Sequence, residues 1–147
     1  MCLVNYKRIE MGLKRKPITC YKVFQEHNGV LYSPLYGDQI QGAYWKIGET
    51  RRINENRPDF YDNYRFGEYV MSITGNSFHS CKGIKAAKEY RRWLSHGDAN
   101  VAKEYPIAKC EIPLDTKFAF EGTAVVSDDD EGLPGYVSEA ITIVKLL

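Results

Sequence analysis

The chain has no glycine-rich phosphate loop. Neither GxGxxG nor GxxxxGK followed by Ser or Thr occurs in its 147 residues, so the backbone cradles built by those motifs are missing. No apolar run approaches the ~20 residues a helix needs to cross a bilayer, and Ile141-Thr142-Ile143-Val144-Lys145-Leu146-Leu147 is far shorter. A membrane partner is therefore not expected. Histidines number three, and the four cysteines (Cys2, Cys20, Cys81, Cys110) are scattered without a CxxC, so no metal site is expected and the thiols read as reduced. The opening Met-Cys-Leu-Val gives way at once to Asn5, Tyr6, Lys7 and Arg8, a pattern expected of a cytoplasmic chain. A net charge of +1 supplies no global field towards nucleic acid or anionic membrane.

What is present is ordinary globular material. Hydrophobic residues make up 44% and charged residues 27%, which exclude a disordered assignment, and the length suits one domain. Aromatics reach 13%, eleven of them Tyr, so a tyrosine-lined sheet or groove is expected. Charge is unevenly spread: residues 1–17 hold five basic residues against Glu10, and residues 111–139 hold eight acidic residues against Lys117. A solvated tail and loop account for this; oligomerisation or docking on a charged partner is the sharper reading.

Along the chain, residues 1–17 read as a basic, flexible arm closed by Pro17, and residues 18–147 as one domain. Ile18 to Phe24 alternates as a strand, with Ile18, Cys20, Lys22 and Phe24 on one face. His27-Asn28-Gly29 supplies a hairpin turn before Val30 to Ser33, and Gly42 to Glu49 reads as a third strand. Residues 50–67 read as a long aromatic loop, and Glu68 to Thr74 as a strand. The spacing of Ala86, Ala87, Tyr90, Trp93 and Leu94 predicts a helix over about 82–94, N-capped near Ser80. A short helix is expected within 98–104, then strands over 107–112, 117–120, 123–126 and 136–144, with turns at Pro113 to Asp115, Glu121-Gly122 and Asp128 to Gly135. The fold class is α+β: a mostly antiparallel, twisted sheet, one main covering helix and a strand-rich C-terminal half.

Three constellations carry chemistry. Phe78-His79-Ser80-Cys81 precedes the helix, so His79 reads as a ligand-contacting or structural residue, and a Cys81 thiolate near the helix N-terminus is conceivable. Arg51, Arg52, Arg57 and Arg65, interleaved with Phe60, Tyr61, Tyr64 and Phe66, suit phosphate and base recognition, or else form the solvated face of a packed loop. Asp128-Asp129-Asp130-Glu131-Gly132 lacks the rest of a calcium loop and reads as an acidic hairpin.

Tyr21-Lys22, Ser33-Pro34, Tyr44 to Glu49, Phe78 to Cys81, Ala87 to Tyr90, Ala108 to Pro113 and Tyr136 to Ile141 follow in an order that resembles a loose family of small uncharacterised proteins from Bacteroidetes-type bacteria and their phages. Its motifs are a Tyr-Lys opening, a Gly-Phe-His centre and a Cys-x-Ile-Pro middle. Ser77 and Asp115 stand where that family has Gly, and the resemblance implies no activity. The order of elements is also similar to the ADP-ribosyltransferase fold, which implies NAD as cofactor and Glu139 as the catalytic carboxylate. The leading expectation is a non-enzymatic binding or interaction protein, without a cofactor. Its partner is a nucleotide-like ligand or another protein, met by Tyr21, Arg57, Tyr61 and His79; nucleic acid is less favoured. The alternatives are the NAD-dependent enzyme and a virion-associated structural subunit.

Overall fold

The computed structural model describes residues 2–34, 44–54, 56–65, 68–74, 77–125 and 131–147. The N-terminal half contributes β1 (Cys2–Arg8), β2 (Ile18–Val23), β3 (Gln25–His27), β4 (Val30–Tyr32), β5 (Tyr44–Trp45), β6 (Thr50–Arg52), β7 (Asp59–Arg65), β8 (Glu68–Thr74) and β9 (Phe78–Cys81). Then come α1 (Ile84–Leu94), α2 (Ala99–Ala102), β10 (Ile107–Ile112), β11 (Ala119–Val125), β12 (Leu133–Ser138) and β13 (Ala140–Leu146). The fold is strand-dominated and every described pairing is antiparallel. One sheet of ten strands runs β6-β13-β10-β2-β9-β12-β11-β1-β8-β7, and a second of three runs β3-β4-β5.

A single residue, Glu139, separates β12 from β13, yet three strands lie between them in the sheet order. In a flat sheet those positions would be about 19 Å apart, at ~4.8 Å per strand. One intervening residue spans only about 7 Å. The open sheet must therefore coil so that the end of β12 meets the start of β13. Inside the coil lies the main core, where Cys20, Ala108, Cys110, Ile112, Ala119, Tyr136, Ile141 and Ile143 meet Leu31 and Trp45 from the smaller sheet, with Phe24 and Met11. Outside it, Ala86, Ala87 and Tyr90 of α1 cover Val23, Cys81 and Ile107.

Several expectations hold. β2 and β10 fall within the strands expected over 18–24 and 107–112, and Asn28 and Gly29, at φ 51° and 77°, make the predicted β3–β4 hairpin turn. Asp98 caps α2, its Oδ1 accepting from the Asn100 and Val101 amides.

Others are corrected. The predicted arm is β1, an interior strand between β11 and β8 that buries Leu3 completely. The supposed loop over 50–67 holds β6 and β7, which end the ten-strand order on opposite sides. Phe78 to Cys81 is strand β9; α1 starts after it, with Gly83 rather than Ser80 at the N-cap. Glu121-Gly122 is the middle of one strand, β11, and the predicted 136–144 strand is divided at Glu139. Gly42, Ala43 and Asp128 to Asp130 lie outside the described residues.

Candidate functional site

β2 and β9 are neighbours joined by one described pair, Tyr21 with Cys81. Continuing that register would set Lys22 opposite Ser80 and Val23 opposite His79. Neither pair forms. The Lys22 side chain takes the vacant acceptor instead: Nζ donates to the His79 carbonyl oxygen at 2.8 Å. Alternation along β2 sends Tyr21 to the α1 side, where it packs on the Cys81 cluster, and Lys22 to the side of Phe24 and Trp45. The ammonium lies 5.9 Å from each of those two ring centroids.

Trp45 is the hub of this region. Phe24 and Phe78 each lie 5.5 Å from it between ring centroids, Phe78 edge-on. The Arg51 guanidinium sits 4.2 Å from its centroid. The two cations near this indole differ in how they are answered. Arg51 Nε pairs with Glu49 Oε1 at 2.9 Å, whereas Lys22 has no carboxylate partner among the described residues. The nearby thiols do not supply the missing charge. Burial pushes Cys20 and Cys110 up to about 12 and Cys81 up to about 11, so all three are neutral near pH 7. Cys81 is therefore no helix-stabilised thiolate. Burial also holds the Lys22 ammonium below the ordinary lysine range, and the thiols offset only part of this.

His79 faces its own constraint. Burial first, and then the Lys22 charge among other causes, drive its imidazole down to about 3, and Nε2 lies 3.4 Å from the Ile73 carbonyl oxygen. The ring is neutral and cannot act as a cationic phosphate clamp near pH 7.

Glu139 occupies a different constellation. Its carboxylate is wholly buried at the bend between β12 and β13. Oε1 accepts from the Lys117 amide at 2.8 Å and from Arg52 Nη1 at 3.3 Å, and Arg52 also reaches Asp115. Oε2 has no hydrogen-bond partner among the described residues. The backbone joins in, with Ile53 N donating to Glu139 O and Glu139 N to Phe118 O. Every described contact of Glu139 ties down the corner, and none reaches Tyr21, Lys22 or His79.

The structure thus sets the His79 carbonyl against Lys22, turns Tyr21 to the opposite face of β2, and shows no described contact of Arg57 or Tyr61 with Lys22. Tyr61 lies exposed on β7 opposite Ser72, and Arg57 is exposed just before that strand. The four arginines once grouped by sequence separate likewise: Arg51 on Trp45, Arg52 on Glu139, Arg57 in solvent and Arg65 at the end of β7. Sequence reasoning missed Lys22 and Trp45 as site residues, although one signal was present. Lys22 interrupts the inward-facing series Ile18, Cys20, Phe24, and a lysine on a buried face needs a reason. No protein-family model, curated protein or solved structure matches this chain.

Proposed function

We propose that the chain is a non-enzymatic binding protein for a small nucleotide-like anion, held by the Lys22 ammonium beside Trp45 and next to the His79 backbone. The observation that carries this reading is Lys22 itself, a half-buried cation facing aromatic rings and a carbonyl with no described carboxylate. Buried charges are ordinarily paired, because desolvation costs more than ring faces return. An anion at this place would supply the missing partner, in surroundings where water screens it little.

Indole fluorescence gives the direct test, because the chain has two tryptophans and Trp93→Phe leaves Trp45 as sole reporter. AMP, a cyclic nucleotide, NAD and inorganic phosphate are titrated separately. The expected result is saturable quenching by at least one nucleotide below about 1 mM, weakened at least ~10-fold in Lys22→Met, which corresponds to about 1.4 kcal/mol. Lys22→Arg, which keeps the charge, separates loss of binding from loss of fold. Binding falls as pH rises through the lowered Lys22 pKa, since only the ammonium attracts the anion. Equal affinity in wild type and folded Lys22→Met, or no quenching by any of the four probes, removes the proposal. NAD consumption abolished by Glu139→Gln would replace it with the ADP-ribosyltransferase reading.

A further inference from the structure

β7 and β8 form a ribbon in full register from Asp59 opposite Thr74 to Arg65 opposite Glu68. The ribbon joins the rest of the sheet through one described pair, Leu3 with Ile73. β7 then ends the strand order, so no described strand lies along its outer edge over seven residues. The other end of the sheet, β6, is three residues long, with both its arginines engaged on Trp45, Glu49, Glu139 and Asp115. The ribbon also carries three exposed large apolar residues, Phe60 at 39%, Tyr61 at 53% and Met71 at 48%. A long edge with apolar side chains is a template for strand addition.

The sequence of β7 says which strand fits. Two identical antiparallel strands related by a two-fold axis must set one residue opposite itself. Only then do side chains point to matching faces and the alternation of hydrogen-bonded and non-hydrogen-bonded pairs stay consistent. For Asp59–Arg65 the register using all seven residues is centred on Asp62. It sets Asp59 opposite Arg65 at both ends, Phe60 opposite Tyr64 twice and Tyr61 opposite Asn63 twice. Opposite charges and aromatic pairs at such positions each favour pairing. Centring on Tyr61 or Asn63 shortens the overlap and loses the Asp59–Arg65 match. One cost remains: Asp62 meets its own copy on the axis, and this like-charge pair limits the strength of association.

We infer that β7 is an interface between two copies of this chain, paired antiparallel about Asp62 into one continuous sheet. This is independent of the Lys22 site. Sedimentation equilibrium between about 1 and 300 µM tests it, a range spanning ordinary transient affinities. The expected result is a concentration-dependent dimer. Arg65→Asp and Asp59→Arg singly weaken it at least ~5-fold, because each sets like charges opposite each other at both ends. The double variant Asp59→Arg/Arg65→Asp restores it, since the swap recreates both opposite-charge pairs. Asp62→Asn tightens it by about 5-fold or more. Should Asp59→Arg fail to fold, Arg65→Asp and Asp62→Asn still move affinity in opposite directions. A monomer throughout the range, a folded double variant no tighter than either single, or an unchanged Asp62→Asn dimer overturns the inference.

Discussion

His79 makes the acid sensitivity of this fold specific to one side chain. Its folded-state pKa is held at about 3, mainly by burial. In the unfolded chain an imidazole titrates near 6.5. Above pH 6.5 both states are neutral and the group contributes no pH dependence. As pH falls below 6.5 the unfolded chain takes up the proton and the folded chain does not. Stability therefore drops by up to about 1.4 kcal/mol per pH unit until the folded pKa is reached. The paired carboxylates Glu49, Asp115 and Glu121 are held below their usual range, so their stabilisation is lost only at more acid pH. The interval from pH 6.5 to 4.5 thus isolates His79. Urea unfolding at half-unit steps should show a falling midpoint there, and His79→Gln should flatten it. A wild-type midpoint that stays level across this interval would show that the imidazole is protonated in the native state.

At the scale of elements, the sequence was most legible where a residue's partner is local. Alternation located β2, extended character bounded by turns located β10, Asn28-Gly29 located the hairpin, and the apolar stripe of Ala86, Ala87 and Tyr90 located α1. It was least legible where partners are distant. Cys2 to Arg8 has too little alternating apolar character to announce an interior strand, and its place depends on β11, more than a hundred residues away. Gly122 misled for the same reason. It read as a turn, but a Cβ there would stand 2.6 Å from the Val4 carbonyl oxygen and 2.9 Å from Tyr6 Cα, so the glycine marks where β1 crosses close to β11. Gly122→Ala should force β1 outward and cost about 1–3 kcal/mol in urea unfolding; a loss below about 0.5 kcal/mol would mean that β1 yields freely. The Lys22 site was half legible. His79 was named, whereas Tyr21 turns to the other face of β2 and Trp45 enters only because the small sheet folds over the coil.

Arg52 tests the corner that gives that coil its direction. Glu139 is a buried carboxylate at the one residue where the chain leaves β12 for β13, and Arg52 brings β6 to it. Arg52→Met leaves the carboxylate with the Lys117 amide and no counter-charge among the described residues. The expected loss is about 2–3 kcal/mol, less than for a fully enclosed pair because Arg52 itself reaches solvent. Asp115→Asn should cost less, since Asp115 is exposed and Arg52 keeps Glu139. An Arg52→Met variant as stable as wild type would show that the corner is held by its backbone bonds.

For the whole molecule, the coil and the ribbon divide the sheet into parts of unequal stability. β2, β10, β9 and β12 have a strand on each side and surround the main core, so their amides should exchange only with global unfolding. The ribbon is joined at Leu3 and Ile73 and through Phe60, which meets Tyr6 and Phe120 at 5.9 and 6.1 Å between ring centroids. Its outer half can open while the coil stays folded, so at a few micromolar the amides of residues 61–65 and 68–71 should exchange far faster than those of β10. Pairing through β7 adds a second effect. Raising the concentration should slow exchange in β7 and leave β10 unchanged, because only the outer edge gains a partner. Fast, concentration-independent exchange in β7 would keep the ribbon as a locally opening unit and remove the self-pairing. Exchange in β7 as slow as in β10 at the lowest concentration would show instead that the ribbon is part of the same cooperative core.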